Sequence, residues 1–242
     1  AGVFPGEAKA AFATTHWSVV RAAGTDGSAA AMAALEALCR GYWPPLYAYA
    51  RRRGHGPDEA LDLTQGFFLR LIEGCWTATA DPAQGRFRSF LLAAFSHFLA
   101  NERDRANAQK RGGLVRFVPL DATEAEAALG GAVATTDTPE TLYERRWAET
   151  LVVGVLRRLA DEFAAHPHGW ENLRPFVVET RRESSLLATA ARLGVTEAAL
   201  RAVVHRLRRR WQELVREEVA QTVADPPEIE PELRHLITLF QS

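Results

Sequence analysis

The chain has 242 residues, of which 47% are hydrophobic and 24% charged, and its formal net charge is −1. That length suits one or two domains with a real core, and the composition excludes collagen-like, disordered and disulfide-scaffold classes. All but two of the 29 basic residues are Arg, the exceptions being Lys9 and Lys110. A near-neutral total does not exclude nucleic-acid binding, because charge can be segregated along the chain. No apolar run is long enough for a transmembrane helix, and the N-terminus lacks the basic-then-apolar order of a secretion signal. The expectation is a cytoplasmic protein. Cys39 and Cys75 sit in helical, apolar surroundings and read as buried thiols rather than a disulfide or a metal site.

Residues 1–27 read as an N-terminal arm. It ends in a helix start at Thr14-Thr15-His16-Trp17-Ser18, where Thr offers a cap. His16 has no second ligand at metal spacing and reads as an ordinary packing or surface residue. From 29 to 53, Leu35, Leu38, Tyr42, Leu46 and Tyr49 recur every three or four positions, so one helix face is buried. Pro44-Pro45 is expected to break or kink that helix, and Arg51-Arg52-Arg53-Gly54 to close it. Pro57-Asp58-Glu59 opens the next helix. There Leu61, Phe68, Leu71 and Ile72 line one face, while Asp62, Gln65 and Arg70 fall elsewhere on the surface. A third helix is expected from about 86 to 109. Its stripe is Phe87, Phe90, Leu91, Phe95, Phe98 and Leu99, and its other face carries Arg86, Arg88, Ser89, Asn101, Arg103, Arg105 and Asn107.

Residues 117–142 contain Asp121, Glu124, Glu126, Asp137 and Glu140 and no Lys or Arg. A mobile acidic linker is expected over 117–138. A helix through Leu142, Trp147, Leu151, Val155, Leu156, Leu159 and Phe163 follows, and His166-Pro167-His168-Gly169 ends it in a plain loop. Residues 170–180, 184–193 and 197–218 are helical in pattern. The last stripe, Ile229, Leu233, Leu236, Ile237 and Phe240, belongs to a short acidic helix. No strand alternation and no internal repeat appear. The fold class is therefore all-α: two helical domains joined by a flexible acidic linker, plus a C-terminal helical extension.

The strongest local signal spans 184–210. Ala190, then Gly194, then Leu200 and Val203 fit a helix-turn-helix. Ala190 is small where the second helix crosses, Gly194 supplies a positive-φ turn, and Thr196 caps the second helix. That helix presents Glu197, Arg201, His205, Arg206, Arg208, Arg209 and Arg210. Residues 174–216 hold ten Arg against four Glu, the charge that phosphate contacts need. Helix pairs of this spacing also pack without touching DNA. The 86–116 stretch, with seven Lys or Arg against Glu102 and Asp104, mixes aromatics with cations. Such mixing suits single-stranded nucleic acid, and equally a plain aromatic core. Asp58, Glu59 and Asp62 share a helix, but no metalloprotease, phosphate-loop or nucleophile-elbow motif accompanies them. The expectation is no enzyme, no cofactor, no metal and no small-molecule substrate.

Two blocks together resemble sigma-70 family factors of the extracytoplasmic-function (ECF) or ECF-like subgroup. Asp62-Leu63-Thr64-Gln65-Gly66-Phe67-Phe68-Leu69-Arg70-Leu71 resembles their core-polymerase-binding helix. Gly85-Arg86-Phe87-Arg88-Ser89-Phe90-Leu91-Leu92 and the residues to Arg105 resemble the promoter-melting, −10-reading segment. The helix-turn-helix, ending in Val204-His205-Arg206-Leu207-Arg208-Arg209-Arg210, resembles the −35-reading domain. The match covers roughly residues 28–220.

The resemblance implies a domain at 28–116 that binds the β′ clamp helices of core RNA polymerase through Asp62, Gln65, Phe68 and Leu69. Its Arg86, Arg88, Asn101, Arg103, Arg105, Lys110 and Arg111 would bind −10 DNA. A domain at 139–222 would place Thr196, Glu197, Arg201, His205, Arg206, Arg208 and Arg209 on −35 DNA and touch the β-flap. Residues 223–242 form an acidic extension. The function implied is promoter-specific transcription initiation. The alternative is a stand-alone helix-turn-helix regulator of duplex DNA.

The chain departs from the family pattern at Leu61 and Gly66, where acids are common. Thr64 lies within that same core-binding face, and its phosphorylation would restore charge; the other reading is a polar surface residue. The C-terminal stripe either packs back so that its acids mask a basic face, or completes the second domain passively. An anti-sigma factor and a Ser/Thr kinase are the candidate regulators.

Overall fold

The computed structural model describes residues 29–73, 86–108, 137–178 and 183–241. These comprise α1 (Ala29–Arg52), α2 (Pro57–Ile72), α3 (Phe87–Ala108), α4 (Pro139–Glu162), α5 (Trp170–Leu173), α6 (Pro175–Val178), α7 (Glu183–Leu193), α8 (Glu197–Thr222), a 3-10 turn at Pro226–Glu228, and α9 (Ile229–Leu239). The described residues contain no strand, in keeping with the all-α expectation. The segments 170–180 and 197–218 differ from expectation in extent. The first holds two single-turn helices, and α8 runs on to Thr222. The expected N-terminal arm, Cys75 and most of the expected acidic linker lie outside the described residues. The chain divides into two compact units, 1–150 with 219–242, and 151–218.

In the first unit, α1 passes through Pro44 and Pro45 as one helix, so of the expected break or kink the break does not occur. Proline costs a helix interior about 3 kcal/mol, mainly through a lost hydrogen bond and a ring clash. The turn that follows offsets this cost. Leu46, Tyr47, Ala48, Tyr49 and Ala50 are all buried, and Trp43 stacks on Tyr47 across the proline pair at 5.0 Å. Gly54, at φ 95°, then reverses the chain. His55 N–H donates to Ala50 O and Gly54 N–H to Arg51 O, satisfying the last carbonyls. Pro57 sits in the first turn of α2, with Asp58 and Glu59 at the positive end of its dipole.

The core of this unit is aromatic. Phe67 of α2 meets Phe95 and Phe98 of α3 edge-on at 5.1 and 5.8 Å. Tyr42 and Tyr49 of α1 reach Phe87 and Phe95. The Phe stripe of α3 is thus core, with Phe90 half-buried at its margin. The first half of α4 adds Leu142, Tyr143, Trp147 and Ala148. Thr138 caps α4 by accepting the Thr141 N–H at 3.2 Å. Ile229, Glu232 and Leu236 of α9 are buried in the same unit. Cys39 is half-buried, and desolvation, with Glu36 beside it, pushes its thiol up to about 12, which disfavours the thiolate.

The second unit packs Leu151, Val155 and Leu159 of α4 with Leu173, Phe176, Leu186, Ala190, Leu200, Val203, Val204, Leu207 and Leu214, all buried. Gly169, at φ 69°, ends the His166–His168 loop.

Candidate nucleic-acid interface

The outer face of α2 is smaller than the sequence suggests. Asp62 is exposed, Gln65 half-buried, and Leu69 is 40% exposed. Two residues assigned to this face are not on it. Phe68 is buried, edge-on to Phe67 at 5.7 Å, and belongs to the core. Thr64 is fully buried, and its hydroxyl donates to Ala60 O at 2.7 Å. The position faces inward because it lies one turn from Ala60 and Phe68 on the buried stripe. A kinase cannot reach that hydroxyl while α2 is packed. Gly66 faces the ring of Phe98, which a Cβ would meet at 3.5 Å.

The two ends of α3 differ. Asn101, Arg103 and Arg105 are exposed, as their assignment to a nucleic-acid surface requires. Arg105 and Arg70 both pair with Glu102 at 2.7 Å, and Arg70 also lies 4.9 Å over the Phe98 ring. Arg103 borders an open notch of about 500 Å³ with Arg53, His55 and Asp104. The N-terminal end is covered. Arg88, assigned to DNA, is 1% exposed. Its Nε donates to Glu144 at 2.6 Å, its guanidinium pairs with Glu232, and it lies 4.5 Å over the Trp147 ring. Arg86 is half-buried and pairs with Glu232 at 2.8 Å. Lys110 and Arg111 lie outside the described residues.

The cause of that cover was missed in the sequence. The stripe expected from the sequence is Ile229, Leu233, Leu236, Ile237 and Phe240, of which Ile229 and Leu236 are buried. In the structure it centres on Ile229, Glu232 and Leu236, and leaves Ile237 and Phe240 exposed. The phase was the available signal: positions 229, 232 and 236 share one helix face, so an acid stood among the inward residues. Glu144 gave no comparable signal.

The helix-turn-helix has the expected local geometry. Ala190 is buried, and Gly194 takes φ 67°. Val195 N–H donates to Ala190 O at 3.1 Å, closing the turn. Thr196 accepts the Ala199 N–H at 3.2 Å as the cap of α8. Leu200, Val203, Val204 and Leu207 face the core, so Arg201, His205, Arg206, Arg208 and Arg209 face solvent, and Glu197 is half-buried. Some of these cations have intramolecular partners. Arg201 pairs with Glu197 at 2.6 Å and Arg209 with Glu213 at 3.1 Å. Such exposed pairs are worth at most about 1 kcal/mol. Arg208 donates to Phe176 O at 2.9 Å, which fixes it in its own unit.

Arg210 grips Glu162 of α4 through two 2.8 Å bonds and also reaches Glu217. That hydrogen bonding holds the Glu162 carboxyl below its ordinary value and keeps Arg210 more firmly protonated. Sequence reasoning placed Arg210 among the presented cations and did not find this tie.

The His166–His168 loop gives the unit a pH response. Burial, then His168 and Arg206, hold the His166 imidazole below its ordinary 6.5. Because the folded state disfavours the proton, the stabilisation is complete above 6.5 and declines as pH falls through the lower folded value. Urea titrations near pH 7.5 and near pH 5.5 are expected to show lower stability at the acidic value, with the difference reduced in His166→Asn. A pH response unchanged by the substitution would remove His166 as its cause.

Among the described residues, no group of three or more His, Cys, Asp or Glu side chains is placed to hold a metal ion, and no helix is long and apolar enough to cross a membrane. No protein-family model, curated protein or solved structure matches the chain.

Proposed function

We propose that the chain is an ECF-type sigma factor, which binds core RNA polymerase and directs it to promoters. Residues 28–116 dock on the β′ clamp helices through the outer face of α2 and engage the −10 element through α3. Residues 139–222 carry the −35 reader and touch the β-flap, and the acidic 117–138 segment joins the two. The factor performs no bond-making step and works in the cytoplasm with the polymerase.

The observation that supports this reading best is the outer face of α2. Asp62 is exposed and Leu69 is 40% exposed on a helix that otherwise buries Phe67, Phe68 and Leu71. A duplex-only regulator has no use for an open acidic and apolar face beside a basic helix, whereas a protein partner does. Asn101, Arg103 and Arg105 on the neighbouring helix, and the capped helix-turn-helix, supply the two DNA contacts a promoter needs.

The test is co-migration with sigma-free core polymerase on size exclusion. The intact chain is expected to co-migrate. Asp62→Arg, by placing a like charge against a basic clamp surface, is expected to weaken binding at least about tenfold. Failure of the intact chain to bind core, with retained binding to duplex DNA, would overturn the proposal in favour of the stand-alone regulator.

A further inference from the structure

Glu232 is 0% exposed, between Ile229 and Leu236 on the inward face of α9. A carboxylate taken out of water is costly unless it is paired. Its partners are Arg86 and Arg88, at the start of α3. Glu144 of α4 holds the other side of Arg88 at 2.6 Å, and His235, one turn beyond Glu232, reaches the same Glu144 at 3.0 Å. Three helices thus bring their charged groups to one point of the first unit. The two arginines are among the seven residues that the sigma-factor resemblance implies for −10 DNA.

A guanidinium pair recognises a carboxylate and a phosphodiester by the same means: planar donors set against two anionic oxygens. The Glu232 carboxylate therefore stands where a phosphate would be taken. The hold on α9 is also limited. Ile229 and Leu236 are its buried apolar side chains, while Ile237 and Phe240 are 56% and 52% exposed. A buried ion pair adds little net stability, because desolvation offsets the attraction. The short 223–228 connection keeps Glu232 at high effective concentration, so a free phosphate ion competes poorly. A strand already held by Arg103 and Arg105 on the same helix competes on equal terms.

We infer that Arg86 and Arg88 form one anion cradle, filled by Glu232 when α9 is docked and by a nucleic-acid phosphate when α9 leaves. The ligand class is single-stranded DNA, and α9 is its intramolecular competitor. This inference rests on the proposed reading of α3 as a promoter-strand surface.

The experiment is fluorescence anisotropy of a labelled single-stranded DNA oligonucleotide with the full chain, Glu232→Gln and Leu236→Asp, over a range of salt. Glu232→Gln removes the competing charge. Leu236→Asp releases the helix while leaving both arginines and Glu232 in place, so a folding defect in one variant does not hide the outcome. Both are expected to bind about tenfold tighter than the intact chain, with a log–log salt slope steeper by roughly one, as phosphate contacts are added. Adding Arg86→Gln and Arg88→Gln to either variant is expected to abolish the gain.

Equal affinity of the intact chain and both variants would overturn the cradle and leave the promoter-strand reading standing. No strand binding by any of the three would overturn the cradle together with that reading of α3. Co-migration of the same proteins with core polymerase then tells whether the rest of the proposed function survives.

Discussion

Phe95→Ala is expected to destabilise the first unit by about 3–5 kcal/mol, the range for emptying a buried aromatic site. Phe95 is fully buried. Its ring lies 5.1 Å from Phe67, 6.1 Å from Tyr49 and 6.2 Å from Phe98, so it joins α1, α2 and α3 at one point. No neighbour can relax into the space without breaking another ring contact, so a cavity remains. Against a typical total of roughly 5–15 kcal/mol, the loss is large. Denaturant unfolding followed by tryptophan fluorescence measures it. Phe90→Ala, at a half-buried position, is the comparison, with an expected cost of about 1 kcal/mol. Similar costs at the two positions would contradict the packing described. Core-polymerase binding is expected to fail on warming in Phe95→Ala before it fails in the intact chain, because the outer face of α2 exists only while Phe67 and Phe68 are packed.

Arg88→Met is expected to cost about 3–5 kcal/mol in the docking of α9, because it leaves Glu232 buried with half its pairing. The docked helix can open, so the loss appears first as faster amide hydrogen exchange across 229–239, ahead of global unfolding. The double variant Arg88→Met/Glu232→Leu is expected to recover most of it, since apolar side chains of similar volume remove the unpaired charge and the desolvation cost together. The full cycle, with Glu232→Leu alone, isolates the coupling. A single-variant cost below about 1 kcal/mol would mean that the cluster is solvated, as exposed pairs are. Together with the DNA titration, the cycle separates the pairing of Arg88 that holds α9 from its proposed contact with a phosphate.

Local features were legible in the chain. Helix starts, helix ends and the helix-turn-helix depend on neighbours in sequence. Gly54 and Gly194 close turns through bonds made within six residues, and Thr196 caps the helix that it precedes. The aromatic stripe of α3 announced a buried face by its period alone, and that face became the core. The outward Arg201, His205 and Arg206 followed from the same arithmetic, because Leu200, Val203 and Leu207 set the phase.

The misreadings lie where distant residues decide. The burial of Leu46, Tyr47 and Tyr49 outweighs the local cost of Pro44 and Pro45, and no local rule contains that burial. Thr64 looks polar, yet its position on the stripe turns it inward, and its hydroxyl is satisfied by Ala60 O. Arg88 carries the charge of a DNA contact but is enclosed by Glu144 and Glu232, which lie 56 and 144 residues further along the chain.

The helices of the described residues, their order, the turn chemistry, the aromatic face of α3 and the outward face of α8 were therefore written in the residues themselves, because hydrophobic period and capping act within a few positions. Which cations stay open to a phosphate depended on the packing of α4 and α9. A charge takes the partner that burial brings to it, and sequence separation sets no limit on that partner.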